Sequence, residues 1–369
     1  MTNKIYPNSF MKNKRVLIVA TSRKTRGGIT SVVKAHETGE QWKKYHCKWI
    51  ETHRDGPAWR KLVYFVRAFV QFTFFAPFFD IVHIHTADAS SATRKWIFAR
   101  YAKLFRKKLL VHIHLANEQS LLDSKVNQRL LKLLHLADKI IVLSPQWKRN
   151  LLQVIPEAEN ITHVLYNPCM PAHRDTTIGK KNQILLAGTI CRRKGYDTAL
   201  KGFSIIANKY PNWKIAFAGN PYLLEGFDEL ADGKRLAKEY GIEEQVEWLG
   251  WISGKNKERV FNETSIYCLA SVGEGFPMAV LDAWAYGLPC VLTPVGGIPD
   301  LVKDGEQGLL FPVGDSIKMA EALDKMMGNE NLREHIVSQT DKLVATTLNI
   351  KAICSQLDCI YQSILSKSH

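Results

Sequence analysis

The chain has 369 residues, 46% of them apolar and 23% charged, the balance of a soluble globular protein long enough for two domains. These values exclude a disordered, collagenous or coiled-coil chain. Seven scattered Cys with no C-x-x-C pair exclude a disulfide framework or a zinc ribbon and point to reduced thiols in a cytosolic protein. The net charge of +15 is uneven, +17 in residues 1–175 and −2 in residues 176–369. The first half is therefore expected to meet an anionic membrane or another polyanion, or else to present a solvated basic surface.

The chain begins MTNKIYPNSFMKNK. It has no apolar h-region there, so no secretory segment is expected. The nearest approach to an apolar run of about 20 residues, residues 62–79, is broken by Arg67, Gln71 and Pro77, so no spanning helix is expected. Residues 16–20 read as a buried parallel strand, 21–28 as a loop and 29–37 as a helix. Apolar runs at 80–85, 109–114 and 139–144 read as further strands, with helices at 92–105 and 127–136 between them. Such alternation implies a parallel sheet covered on both faces. Residues 167–182, with two Pro and weak periodicity, read as an interdomain linker. The pattern then restarts. Strands are expected at 184–187, 213–218, 246–249, 266–269 and 290–293, and helices at 196–209, 316–327, from 332 onward, and at 350–366. The fold class is α/β, with two Rossmann-like doubly wound domains. The expected division is residues 1–170, residues 171–349, and a C-terminal helix within 350–369 that returns toward the first domain. Ligands in such sheets sit beyond the carboxyl ends of the strands, so the site is expected in a cleft that the two domains face.

Four segments could carry chemistry. Residues 271–289 read SVGEGFPMAVLDAWAYGLP. Pro277 suits a first helical turn, and Gly287 and Pro289 suit its end. Glu274, Gly275 and Phe276 then form a tight loop at a helix N-terminus, where amides and the helix dipole favour an anion. Asp282 lies later in the helix, where a carboxylate could accept from a diol. The plainer reading is punctuation of a helix beside a solvated acid. Residues 188–195, GTICRRKG, put Arg192, Arg193 and Lys194 in one strand-to-helix turn, suited to a diphosphate or to a solvated basic loop. Gly27 and Gly28 follow the first strand and allow close backbone approach to a ligand. His83/His85 and His112/His114 form two H-x-H runs, each with both His on one side of a strand. No acidic partner recurs nearby and HExxH is absent, so no metal ligand is assigned. His85 and His114 are expected at strand ends facing the cleft, and His83 and His112 as core histidines with their hydrogen bonds satisfied. There is no P-loop, no G-x-G-x-x-G and no D-x-D, which argues against a dinucleotide site and against a metal-held nucleotide sugar.

In this order the segments resemble the retaining glycosyltransferases of family 4, which have the GT-B fold. The resemblance runs over most of the chain and is densest from residue 184 to 315. The family's glycine-rich loop matches Gly27-Gly28, and its strand-end His matches His114. Its G-R-x-x-x-x-K-G motif matches residues 188–195, and its E-x7-E motif matches Glu274 to Asp282. Thr189 stands where the family has Arg, with Arg192 or Arg193 able to supply that charge. Asp282 stands for the second Glu.

The resemblance implies metal-independent transfer of a sugar, with retention, from a nucleotide-diphosphate sugar of UDP or GDP type to a hydroxyl of a glycan acceptor. It assigns Lys194, Arg192, Arg193 and backbone at Gly28, Gly275, Phe276 and Pro277 to the diphosphate, Glu274 to the sugar, Asp282 to the ribose, His114 to the reacting carbon, and the turn at Gly250 to the base or sugar. The nucleotide sugar is a substrate, and no cofactor is implied. Such enzymes often extend lipid-linked oligosaccharides at the cytoplasmic face of a membrane, for lipopolysaccharide, O-antigen, capsule or exopolysaccharide. Residues 64–79 hold eight aromatics. With Arg60, Lys61 and Arg67 they read either as a peripheral contact with an anionic membrane or as a core helix, and His85 joins this acceptor side. Two other readings stay open, a nucleic-acid-binding protein using the basic half and a GT-B nucleotide-sugar epimerase. No nucleic-acid recognition motif supports the first.

Overall fold

The computed structural model describes residues 14–87, 89–224 and 227–366, so the reading of the first 13 residues as free of a secretory segment lies outside them. The chain divides into two compact units. One ends at Pro168 and resumes at Ile350, and the other is Cys169–Asn349.

In the first unit, strands β1 (Val16–Ala20), β2 (Lys48–Glu51), β3 (Ile81–Thr86), β4 (Lys108–Ile113), β5 (Lys139–Val142) and β6 (Thr162–Val164) form a parallel sheet in the order β2-β1-β3-β4-β5-β6. Every residue of β1, β3 and β5 is buried. Strands covered on both faces need mostly apolar residues, as in β1 (VLIVA), while β3 (IVHIHT) also buries two His and a Thr and β5 (KIIV) a Lys. The helix Ile350–Ser366 belongs to this unit. Its residues Ile353, Leu357, Ile360, Tyr361 and Ile364 recur on one helical face and share a core with Val16, Ile18, Ile81 and Leu110. Lys44 Nζ and Tyr45 Oη both donate to Asp358, at 2.7 and 2.6 Å.

Residues 64–79, expected to be either a core helix or a surface one, fall mostly in a longer helix with two apolar faces (Ala58–Phe75), followed by a 3-10 turn (Ala76–Phe78). Phe65, Phe69 and Phe72 pack edge-on against Phe98 at ring separations of 5.2–6.1 Å. On the other face Trp59, Leu62, Val63, Val66, Val70 and Phe74 are 52–67% exposed. They recur at 59, 62 and 63, 66, 70 and 74, the i, i+3, i+4 spacing of a single helical stripe. Among the described residues no helix is long and apolar enough to cross a membrane.

The second unit holds β7 (Gln183–Ala187), β8 (Lys214–Ala218), β11 (Val246–Trp248), β12 (Ile266–Leu269), β13 (Cys290–Leu292) and β14 (Leu309–Leu310), all parallel in the order β11-β8-β7-β12-β13-β14. A two-residue hairpin pair, β9 (Leu223–Leu224) and β10 (Phe227–Asp228), stands apart from it. The expected linker 167–182 is not a free connector. Arg174 donates to the carbonyls of Trp284 and Ala285 at 2.8 Å and to Asp341 at 2.6 Å, and the amide of Asp175 donates to Asn262 at 3.1 Å. Buried and half-buried carbonyls at a helix end need donors, and the guanidinium supplies them. Polar composition alone reads as loop and does not reveal that anchoring. All seven Cys are free thiols.

Candidate functional site

The strand order of the second unit reverses between β7 and β12, and the loops leaving these two strands carry its charged groups. The first loop runs from Gly188 through a 3-10 turn (Arg192–Lys194) to Gly195. Gly195 has φ +73°, and a Cβ there would stand 2.0 Å from the Ala270 carbonyl. Only glycine allows this loop to lie against the end of β12. The second loop, residues 270–277, is stitched to the first. The Val272 amide donates to the Arg193 carbonyl at 2.8 Å, and Arg193 Nη1 donates to the Gly273 carbonyl at 2.7 Å.

These contacts bring Lys194 Nζ to 2.5 Å from Glu274 Oε1, with Arg193 Nη1 at 3.8 Å. Ser271 Oγ donates to the same carboxylate oxygen at 2.8 Å. Glu274 is 7% exposed, so its charge is held in a region of reduced dielectric, where the two cations act strongly. Gly296 completes the support. Its φ is +58°, a Cβ would fall 2.2 Å from the Glu274 carbonyl oxygen, and the Gly297 amide donates to the Gly275 carbonyl at 3.0 Å. Sequence reasoning did not single out Ser271 or Gly296. The signal for Gly296 was the Gly-Gly after β13, read only as part of a longer matching stretch.

Several expected residues are placed differently. Arg192 is held by Asp232 at 3.0 Å and lies over the Phe227 ring. Asp232 also accepts from Tyr196 Oη at 2.7 Å and from Arg235 at 2.8 Å. The Tyr196 hydrogen bond is the main reason its carboxyl sits below the usual range. Arg193 and Lys194, not Arg192, therefore flank Glu274. Pro277 is the N-cap of the helix Met278–Ala285 rather than its first turn. It has no N–H, so the amides left without an i−4 carbonyl begin at Met278 and Ala279. Phe276 is buried at 5% exposure. Asp282 pairs with Lys257 at 2.7 Å rather than with the Glu274 group. Gly250, φ +62°, turns the chain after β11 at the same carboxyl edge of the sheet. A cavity of about 30 Å³ beneath Lys194, lined by Gly188, Tyr196, Tyr267 and Ser271, has room for a water but not for a nucleotide. A concavity of about 640 Å³ near Ser265 and Pro289 opens at the amino ends of β12 and β13, away from these groups.

In the first unit the order reverses between β1 and β3. Gly27, φ +155°, is the N-cap of the helix Gly28–Glu37, and both glycines are exposed. His114 follows β4 and is half-buried. His85 does not reach an open surface as expected. It is 1% exposed, and its Nδ1 lies 3.0 Å from His114 Nε2. The expectation failed because β3 continues to Thr86, leaving His85 inside the strand. Burial lowers His114 to about 3, so its imidazole is neutral and works through hydrogen bonds rather than as a cation. Arg60 is half-buried near the Trp59 ring, 5.5 Å from its centroid, while Lys61 and Arg67 are exposed.

Both sheets and their chain order are those of the GT-B fold. Anabaena Alr3699/HepE, solved in complex with UDP and glucose, has a TM-score of 0.75 to this chain and 16% identity. The match covers 95% of this chain and all of that one. Residues 172–343 match the family model of glycosyl transferases group 1, a span that takes in nearly the whole second unit, including Lys194 and Glu274. An uncharacterized glycosyltransferase of Haemophilus influenzae is 30% identical over 222 residues, 59% of this chain and 60% of that relative's length. Phosphatidyl-myo-inositol mannosyltransferase of Mycobacterium leprae is 25% identical over 296 residues, 78% of this chain and 74% of its own.

Proposed function

We propose that the chain is a retaining, metal-independent glycosyltransferase. It moves a sugar from a nucleotide-diphosphate sugar, of UDP or GDP type, to a hydroxyl of a lipid-linked glycan during synthesis of a surface polysaccharide. The observation that carries this reading is the convergence of Lys194 and Arg193 on Glu274 at the reversal of the second sheet. Doubly wound sheets bind nucleotides at that place. A diphosphate leaving group develops charge as the glycosidic bond breaks, and preorganised cations and amides stabilise it. The incoming phosphates compete with Glu274 for Lys194 and Arg193, and the freed carboxylate takes the sugar hydroxyls. With one acid assigned to the sugar, retention proceeds by front-face attack, and the leaving phosphate takes the acceptor proton. His114 and the Gly27-Gly28 backbone are assigned to the donor by the resemblance, Asp282 to the ribose after release from Lys257, and Gly250 to the base or sugar.

The first unit is the acceptor unit. The exposed stripe from Trp59 to Phe74, bordered by Arg60, Lys61 and Arg67, suits shallow contact with an anionic membrane surface at the cytoplasmic face. The name of the mycobacterial relative, with a phosphoinositide in it, is in keeping with an acceptor at a lipid surface.

The test is transfer from UDP- and GDP-sugars to lipid-linked acceptors, together with a thermal shift on UDP, GDP and single-stranded DNA. A nucleotide shift with acceptor-dependent product is expected. A shift with DNA alone favours the nucleic-acid reading, and a free epimer formed without acceptor favours the epimerase. Lys194→Ala should cut transfer at least about tenfold with the fold intact, because Glu274 keeps Ser271 and Arg193. Near wild-type turnover would remove Lys194 from the mechanism.

A further inference from the structure

Five imidazoles meet in the first unit, and the proposed transfer uses only one of them. His83 and His85 alternate by two along β3, and His112 of β4 stands in register beside His85, so three rings project from one sheet face. Their centroids are 4.4 Å (His83 to His85), 4.8 Å (His85 to His112) and 5.6 Å (His83 to His112) apart. His36, from the helix Gly28–Glu37, lies over them, 6.3 Å from His85 and 6.2 Å from His112. These four rings are 0–2% exposed.

Two hydrogen bonds serve the cluster from outside. His83 Nδ1 meets Tyr361 Oη at 2.8 Å, and His85 Nδ1 meets His114 Nε2 at 3.0 Å. Four buried ring nitrogens, His36 Nε2, His83 Nε2 and both of His112, have no hydrogen-bond partner among the described residues, against the expectation that His83 and His112 are satisfied in the core. A buried polar atom left unpaired costs roughly 1–3 kcal/mol, and apolar side chains would fill the same space without that penalty. Four such atoms together call for a shared partner.

We propose that His83, His85 and His112 hold a divalent transition metal of the zinc class. Their ligand atoms lie within 4.8 Å of one another. Nitrogens about 2.0–2.1 Å from a tetrahedral zinc stand about 3.3 Å apart, so the ligand atoms close by up to about 1.5 Å when the metal binds. The outer hydrogen bonds fix the ligand atoms. With Nδ1 of His83 on Tyr361 and Nδ1 of His85 on His114, both rings turn Nε2 inward, the usual arrangement around a metal-bound imidazole. His36 stands outside this group of three; its Nε2 is buried and unpaired, and its ring would have to move closer to fill the fourth position, which a water takes otherwise. An all-imidazole set without carboxylates disfavours magnesium, calcium and manganese. Burial keeps the three rings neutral, the form that ligates. The metal is structural. It ties β3 to β4, and through the His85–His114 hydrogen bond it sets which nitrogen of His114 carries the proton. It takes no part in the transfer step, so the metal-independent reading of that step stands or falls separately.

The experiment uses the full chain without a histidine tag, produced in zinc-supplemented medium. Elemental analysis is expected to give roughly one zinc per chain, and X-ray absorption a shell of imidazole nitrogens with at most one water. After chelator treatment, titrated zinc should raise the unfolding midpoint by several degrees. His112→Leu should weaken zinc binding by about 100-fold or more, while His173→Ala, an exposed His of the other unit, leaves it unchanged. If His112→Leu fails to fold, the absorption spectrum of the unaltered chain decides. A metal-free chain that titrates no zinc overturns the proposal. So does zinc bound through carboxylate or sulfur ligands, or a high-resolution map with waters on these nitrogens.

Discussion

The two units are both six-stranded parallel sheets, yet their strand ends use charge differently. The first runs β2-β1-β3-β4-β5-β6 and the second β11-β8-β7-β12-β13-β14, each reversing beside its first strand. At the reversal of the second unit stand formal charges, Lys194, Arg193 and Glu274. At the corresponding edge of the first unit the loop after β1 carries Arg23, Lys24 and Arg26 ahead of the exposed Gly27 and Gly28, with Arg23 paired to Glu37 and Glu51, while the imidazoles of His85, His112 and His114 are neutral. Net charge does not mark the difference: the basic half keeps its cations in exposed loop positions such as Arg23, Lys24 and Arg26, while the half of net charge −2 gathers two cations on one buried carboxylate. Net charge therefore bears on what a surface meets, while the residues leaving two neighbouring strands decide what a site binds.

Substitutions should keep the units distinct. The largest effect is expected from Glu274→Gln, which keeps the shape but removes the charge, and should lower transfer by about 10²–10³-fold, the scale of one electrostatic catalytic group. Steady-state kinetics on the best donor check this, and a loss confined to KM would recast Glu274 as a binding group only. Gly195→Ala comes next. A methyl 2.0 Å from the Ala270 carbonyl, at φ +73°, should destabilise the second unit by more than about 1 kcal/mol. Calorimetry should show that unit's transition falling while the other holds.

Acid should do the reverse. Burial lowers His36 from 6.5 to about 4 and holds His83, His85 and His112 well below the ordinary range. Well above pH 6.5 these rings are neutral in both the folded and the unfolded chain, so protonation takes nothing from stability there. As pH falls from 6.5 toward 4 the unfolded chain takes protons that the folded chain refuses. Stability then drops by about 1.4 kcal/mol per pH unit for His36 alone. Among the described residues the fully buried His all belong to the first unit, so between pH 7 and 5 its melting temperature should fall more than that of the second. Parallel movement of both transitions would break the comparison. The smallest effect is expected from Phe74→Ser on the exposed stripe. Stability should change little, while sedimentation with anionic vesicles falls severalfold and that with neutral vesicles, already weak, stays the same. Unchanged sedimentation with anionic vesicles would remove the stripe from membrane contact.

The sequence was most legible where one local rule acted alone. Central strands β1 and β12 are continuous apolar runs, and β3, β4 and β7 are largely so apart from the His of β3 and β4 and the polar residues at strand ends, because helices cover both faces. The edge strands β2, β6 and β14 have two to four residues and were not recognised. The charged helices Pro145–Val154 and Glu229–Glu239 were also missed. Their caps were readable, since Ser144 accepts from the Trp147 amide and Asp228 from those of Leu230 and Ala231. Of the candidate site, residue types and order were visible at 188–195 and 271–289, but not the pairing of Asp282 with Lys257 or of Arg192 with Asp232.

The sequence by itself determined the alternation of strands and helices, the glycines that permit positive φ, and the placement of Lys194 and Glu274 after two different strands. These depend on neighbours a few residues away, and patterning records them. Only the tertiary structure decided that Arg193 rather than Arg192 stands beside Glu274, that His36 and Tyr361 join His83, His85 and His112, and that the second face of the helix Ala58–Phe75 is left uncovered. Each of those follows from segments far apart in the chain competing for the same space, and no spacing along the sequence encodes the winner.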